Sequence, residues 1–304
     1  MSKNLKGSLL VIIAGCAWGI SGVSGQYLMS HGVHINLLTS LRLLISGLIL
    51  LTILVIQQPN QLQKALTNRS LLLGTFLFSL FGLVLNQFAY LQAIQHTNAG
   101  TATVLQYVTP ILILVLVCLK NRTAPTMVEL LSIILAVLGT FIIATHGQLG
   151  NLAITPVGLF WGLFSAVTYA AYIIIPVKLI HEWGSILVIG LGMLMGGIVF
   201  PIFTQAWRYD IALGIGNNLL AYVGMIGVGT VFAYTAFLKG TSVVGPVKGS
   251  LLAAVEPIAS VLLTVLLMKE VFYVIDILGM IFIFAAVLLI SLKDLLAVNK
   301  NSQL

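Results

Sequence analysis

The sequence predicts an all-α membrane protein with ten transmembrane helices arranged as two inverted five-helix repeats. Three observations predict it. First, 60% of the 304 residues are hydrophobic and 7% charged, with mean hydropathy +1.13, whereas a soluble domain carries about 25% charged residues. Second, apolar runs of roughly 20 residues, the length that crosses a hydrocarbon core as a helix, follow one another along the chain. Third, motifs of the first half return in the same order in the second. Cytosolic enzymes, secreted domains and disordered scaffolds are excluded by the shortage of polar and charged residues.

The runs cover residues 8–28, 35–56, 71–94, 100–119, 126–145, 156–177, 185–204, 218–238, 246–268 and 273–292. Lys3 and Lys6 before the first run imitate a secretory signal, but the run exceeds the roughly 7 to 15 residues of a signal core, so it reads as a retained helix. Thr126-x-x-Glu129 fits a capping box. Thr155-Pro156 offers an N-cap followed by proline at the first helical position, and Gly245-Pro246 opens the ninth helix similarly.

Ten spans place both termini on one side. Lys3, Lys6, Lys64, Arg69, Lys120, Arg122, Lys178, Lys239, Lys293 and Lys300 fall on that side, against Arg208 and Lys269 on the other. Each of those two is close to a carboxylate, Asp210 or Glu270. Cytoplasmic loops are the basic ones, so both termini are expected to be cytoplasmic in a multi-pass cell (plasma or inner) membrane protein. The net charge of +7 therefore reflects orientation; the scattered basic residues build no nucleic-acid face. Cys16 and Cys118 lie in apolar runs and read as small packing residues, with no metal site and no cofactor expected.

The internal repeat is visible in four places. Gly7 begins a run whose counterpart begins at Gly158; Phe88-Ala89-Tyr90 returns as Phe232-Ala233-Tyr234; Thr109-Pro110 matches Glu256-Pro257; Glu129 matches Asp276. The repeats are residues 1–147 and 148–304, five helices each. An odd number of spans inverts the second half relative to the first, and alternating access between halves follows from that symmetry.

Ala17-Trp18-Gly19 in the first helix, Arg42 in the second, a mid-helix proline in the fourth and ninth, and Lys269-Glu270 after the ninth resemble the drug/metabolite transporter superfamily, EamA-like branch. The resemblance covers about Gly7 to Leu292; the first half departs from it at Arg122-Thr123. It implies secondary transport of a small metabolite, commonly export of an amino acid or related amphipathic compound, through a cavity between the halves, and no enzymatic activity. The partners expected are a small-molecule substrate and the lipid bilayer, with room for proton coupling and for a homodimer, and no nucleic acid.

Candidate site residues follow from depth. Pro110 and Pro257 each remove an N–H and leave the carbonyl four residues earlier available. Glu256, about 15 Å along a helix begun at Pro246, is too deep to reach either surface and needs a partner from another helix, a proton or an amine. Arg42, about 10 Å inside the second helix, either snorkels outward or turns into the bundle, while Lys248 is shallow enough to snorkel. Glu129 and Asp276 occupy first helical turns and read as structural. Trp18, Tyr90, Tyr234, Gln87 and Gln106, with Gln26, Asn86, Tyr107, Trp161, Tyr169 and Tyr172, supply a polar and aromatic lining. Gly15-x-x-x-Gly19, Gly192-x-x-x-Gly196 and Gly245-x-x-x-Gly249 read as close-packing motifs.

Two other functions compete. A lipid flippase would use the same fold. An intramembrane serine protease would use Gly19-Ile20-Ser21-Gly22, but His31, His34, His96, His146 and His181 all fall at helix ends or loops, and none is placed as its base.

The loop count makes a direct prediction. Cysteines placed at His31, His96 and Asn151 should react with an impermeant reagent from outside intact cells, and cysteines near Lys64, Lys120 and Lys300 should not. Labelling of Asn151 and Lys120 from the same side would remove the fifth span and with it the five-plus-five repeat.

Overall fold

In a computed structural model, described for residues 3–146, 148, 153–214, 216–245, 249 and 252–301, the chain is a bundle of apolar helices. Among the described residues, nine helices are long and apolar enough to cross a membrane: Lys3–Ser30, Ile35–Gln57, Arg69–His96, Ala99–Asn121, Met127–Thr145, Pro156–Trp183, Ser185–Thr204, Asn218–Val244 and Val274–Lys293, the last continuing to Asn301. Val255–Met268 is apolar but shorter. In chain order these ten are the first to tenth spans, with Val255–Met268 the ninth.

Local chemistry sets the ends. Thr126 Oγ1 accepts from the Glu129 amide while Glu129 accepts from the Thr126 amide, so the expected capping box is present. Thr155 caps the sixth span by accepting from the Gly158 amide, with Pro156 at the first helical position. Gly245 ends the eighth span at φ +87°, a backbone state suited to glycine, and its carbonyl also accepts from the Gly249 amide at 2.9 Å, a helical bond that leads into the next helix. Of the expected close-packing motif here, Gly249 lies directly against Thr241 of the eighth span while a Cβ at Gly245 would meet open space; Pro246 and Lys248 lie outside the described residues.

Four features depart from the apolar-run reading. A short helix, Pro59–Thr67, precedes the third span; it is too polar to register as a span, yet buries Ala65 and packs Leu62 against the bundle. The fourth span is broken at Tyr107 and Val108 and the ninth is preceded by a turn at Ala254, so neither is one continuous helix. The sixth is interrupted at Ile175-Pro176. Finally, the third and eighth spans widen into π-helix over Ser79–Val84 and Val223–Phe232. Ser79 and Val223 are as far apart in sequence as Phe88 and Phe232, so the two widenings begin at equivalent positions. Hydropathy carries no signal for a π turn, which shifts hydrogen bonds without changing composition.

The halves interlock. The first span packs on the eighth and ninth, and the sixth packs on the third and fourth, the same relation with the halves exchanged; the second pairs with the seventh and the fifth with the tenth. Gly15 and Gly19 bring the first span onto the ninth: a Cβ at Gly19 would lie 2.9 Å from Ser260 N. Gly192 and Gly196 lie against Leu83 and Ser79 of the third span. The second and seventh spans cross at a reciprocal pair that leaves no motif in either helix, because it is one glycine from each: a Cβ on Gly47 would lie 2.5 Å from Leu194 N, and one on Gly197 would lie 2.5 Å from Leu44 N. Gly139 and Gly279 do the same for the fifth and tenth.

Glu129 and Asp276, in the first turns of the fifth and tenth spans, each contact a basic side chain from the other of these two segments. Lys293 Nζ lies 2.5 Å from Glu129 Oε1, and His146 Nε2 lies 2.7 Å from Asp276 Oδ1. Because the fifth and tenth spans run antiparallel, one pair ties them at each face of the bundle.

Gly197→Ala should lower the thermal unfolding midpoint in detergent, since the added methyl meets backbone and overpacking costs about 1–3 kcal/mol. Gly214→Ala, which meets open space, should leave the midpoint unchanged. An unchanged midpoint for Gly197→Ala would remove the contact between the second and seventh spans.

Candidate functional site

The two helix breaks organise the middle of the bundle. Pro110 cannot donate to Gln106 O, and the chain turns at Tyr107 and Val108. The freed carbonyl is taken by a side chain: Thr109 Oγ1 lies 2.6 Å from Gln106 O, and 2.9 Å from Ala166 O of the sixth span. At the second break the freed carbonyl is Ala253 O, and its donor comes from the other half. The Tyr107 hydroxyl lies 3.1 Å from Ala253 O and 3.0 Å from Glu256 Oε2. Glu256, 9% exposed, thus has the interhelical partner its depth required.

Arg42 turns inward and is 7% exposed. Its Nε donates to Thr230 Oγ1 at 3.0 Å, and the Thr230 hydroxyl donates to Met225 O at 3.0 Å within the π-helical stretch of the eighth span. Arg42 and Glu256 are not within 4 Å of one another; among the described residues the basic–acidic side-chain contacts at that range are the two joining the fifth and tenth spans, Lys293 with Glu129 and His146 with Asp276. They attract across a longer distance. Tyr90, Tyr172 and Tyr234 stand within electrostatic range of Arg42, and Tyr90, Tyr107, Tyr169 and Tyr234 within range of Glu256.

An aromatic wall joins these groups. Trp18 meets Tyr234 edge-on with centroids 5.7 Å apart, and Tyr234 meets Tyr172 at 6.3 Å. Tyr172 stacks on Tyr169 at 5.6 Å. Such rings present flat apolar faces with hydroxyls at the edge. The structure therefore brings together Trp18, Arg42, Tyr234 and Glu256, with Tyr90 alongside, around one central region.

Gln106, Trp161 and Gln26, also expected in the lining, are engaged elsewhere. Gln106 Nε2 donates to Asn86 Oδ1 at 3.1 Å, tying the third and fourth spans. Trp161 packs on Phe88, Phe160 and Phe164. Gln87 is buried, and neither side-chain atom has a hydrogen-bond partner among the described residues. Gln26 is a cap: its Oε1 accepts from the Ala99 amide at 2.8 Å, and its Nε2 donates to Glu270 Oε1 at 3.0 Å. Lys248, the remaining candidate, lies outside the described residues. Thr103, Thr230 and Ser260 were not anticipated, because a lone hydroxyl in an apolar run carries no distinguishing pattern.

On the His96 face the halves are joined by a run of polar contacts. Tyr90 bonds to Thr103 at 2.7 Å and Thr103 to Ser260 at 3.1 Å; the Thr103 and Ser260 hydroxyls both reach Ala99 O. Gln26 and Glu270 continue the run outward. At its rim His34 stacks on Tyr209 with centroids 3.7 Å apart. Burial pushes the His34 imidazole below its usual range, which keeps Nδ1 free to accept from the Asn36 amide at 3.2 Å.

Ser21, the nucleophile of the protease reading, is 3% exposed and donates to Met225 O at 3.3 Å. The ring contacts of His31, His34 and His146 are made with Tyr27, Tyr209 and Tyr273 at the bundle ends.

Known proteins agree with this architecture. The profile described as the EamA-like transporter family matches residues 5–145 and again 156–292. A protein named uncharacterized inner membrane transporter YicL, from Salmonella typhimurium, is 36% identical over 295 residues, covering 97% of this chain and 98% of its own. A solved structure, described only as a crystal structure of a protein, superposes with TM-score 0.62 at 18% identity over 94% of this chain and 96% of that chain, which supports the fold. The chain belongs to the EamA-like transporter family of membrane proteins, within the drug/metabolite transporter superfamily.

Proposed function

We propose that this transporter exports a small zwitterionic, amphipathic metabolite, an amino acid or a related compound, by alternating access between residues 1–147 and 148–304. One observation carries the reading: a buried guanidinium, Arg42 from the first half, and a buried carboxyl, Glu256 from the second, lie near a common aromatic region, and among the described residues neither has an ion-pair partner within 4 Å. Unpaired charges in a membrane interior are costly to keep. A zwitterion relieves the cost at both ends, since a guanidinium takes a carboxylate through planar paired donors and a carboxylate takes an ammonium. Trp18, Tyr172 and Tyr234 then supply an apolar wall for the substrate's side chain.

In this reading the basic Lys64 side is cytoplasmic, in agreement with the loop count. The contacts among Thr103, Ser260, Ala99, Gln26 and Glu270 close the outer side. Glu256, left without an ammonium when the substrate departs, is the group a proton gradient acts on.

Two experiments test this. In a thermal-shift screen of detergent-purified protein, amino acids should raise the unfolding midpoint more than amines, organic acids, nucleosides or sugars, because a ligand bound only by the folded state stabilises it. Glu256→Gln should weaken that shift and abolish pH-driven flux in proteoliposomes, while Glu129→Gln retains both. Equal behaviour of Glu256→Gln and the unmodified protein would remove Glu256 from the site. For the motion, a disulfide between cysteines at Gln26 and Glu270 should stop flux until it is reduced. Full flux through a completely cross-linked sample would exclude alternating access at that face.

A further inference from the structure

The Tyr107 hydroxyl has one hydrogen and two acceptors: Glu256 Oε2 at 3.0 Å and Ala253 O at 3.1 Å. These acceptors differ in kind. One is the candidate substrate or proton site. The other is the backbone carbonyl that Pro257 deprives of its helical donor, at the turn where the ninth span is broken. Tyr107 itself sits at the break of the fourth span, where the chain turns before Pro110.

We propose that Tyr107 is a positioning residue that reads the charge of Glu256 and passes it to the hinge of the ninth span, by moving its single hydrogen between the two acceptors. This rests on the reading of Glu256 as the group that binds substrate or proton. When Glu256 is ionised, the phenol donates to the carboxylate, because a hydrogen bond to an ionised acceptor is roughly twice as strong as one to a neutral acceptor. Ala253 O then has no donor, and the turn at Ala254 is loosely held. When Glu256 takes a proton from water, or a substrate ammonium engages its charge, the carboxyl becomes the poorer acceptor. The phenol hydrogen rotates to Ala253 O, which an apolar surrounding makes costly to leave unpaired. No covalent bond to Tyr107 breaks.

The titratable and charged groups within electrostatic range of Glu256 are Arg42 of the second span, Tyr90 of the third, Tyr107 of the fourth, Tyr169 of the sixth and Tyr234 of the eighth. Of these, Tyr107 hydrogen-bonds both to Glu256 and to the backbone of the break. A bond from the fourth span to the ninth also joins the two halves where each is interrupted. Charge at the site thereby alters how firmly the breaks are held together.

The test needs no substrate. Amide hydrogen–deuterium exchange of the peptide covering residues 252–268 is measured in nanodiscs at mildly acidic and mildly alkaline pH, corrected for intrinsic exchange, with the fifth span as the reference segment. The unmodified protein should exchange more slowly in acid, where the hinge carbonyl is bonded. Tyr107→Phe should lose the pH response and exchange at the fast, alkaline level at both values. Glu256→Gln should also lose the response, but at the slow, acid level. Pro257→Ala supplies the missing N–H and should be slow throughout, keeping the test available should Tyr107→Phe fail to fold. A wild-type response in Tyr107→Phe or in Pro257→Ala, or none in the unmodified protein, would overturn the relay. A wild-type response in Glu256→Gln would instead show that another group titrates, and would overturn the reading of Glu256 itself.

Discussion

A carbonyl in hydrocarbon has no water to turn to, so a helix broken at membrane depth must find a donor for the carbonyl its proline abandons. At the breaks of the fourth and ninth spans this chain does so in two ways. Thr109 reaches back to Gln106 O within its own half, and Tyr107 crosses to Ala253 O in the other. The first solution closes a break locally. The second ties one broken helix to another and brings a hydroxyl to Glu256. The position of Glu256, the turn at Ala254 and the approach of the fourth span to the ninth all depend on how these two carbonyls are satisfied.

The surrounding scaffold lets such breaks exist without loosening the bundle. Each half is packed chiefly through the other, so the fold cannot be divided into two self-contained cores. At the crossing of the second and seventh spans, glycine removes the side chain and backbone meets backbone, which holds the helices by dispersion where lipid gives no hydrophobic drive. The fifth and tenth spans are clamped at both faces, by the Lys293–Glu129 ion pair and by the close contact of the His146 ring with the Asp276 carboxylate. A pair fixed at both ends is suited to serve as a strut against which other helices move.

Much of this was legible in the sequence because its cause is compositional or periodic. The helices, the capping box at Thr126, the first-turn carboxylates and the order of the repeated motifs each follow from residue type and spacing. Glu256 could be singled out by depth, and the need for a partner on another helix could be stated, since a short carboxylate at midplane has few options. That Tyr107 is that partner could not. The assignment depends on rotation about two helix breaks, which spacing along the chain does not fix. The π-helical widenings escaped for a related reason: inserting one residue into a turn leaves hydropathy unchanged while shifting every later side chain around the axis. Depth along the second span leaves Arg42 open to snorkelling or facing inward; Thr230, on the widened stretch, supplies the inward acceptor.

The repeat also explains why the chemistry is not itself duplicated. Aligning the second and seventh spans through the reciprocal contacts of Gly47 with Leu194 and Gly197 with Leu44 places Arg42 opposite Gly192. Glu256 likewise stands where the first half has Thr109. Gly192 lies against Leu83 and Phe78, where an arginine would have no room, and Thr109 is fully buried with its hydroxyl committed to two carbonyls. A symmetric copy would put two guanidinium groups and two carboxylates into one apolar region, at a desolvation cost of several kcal/mol per ion before pairing. Like charges would also face each other across the twofold axis. Keeping one charge per half limits that cost and gives the centre a direction, positive on the first half and negative on the second. A ligand with a head and a tail requires such a direction, and a strictly symmetric site would lack it.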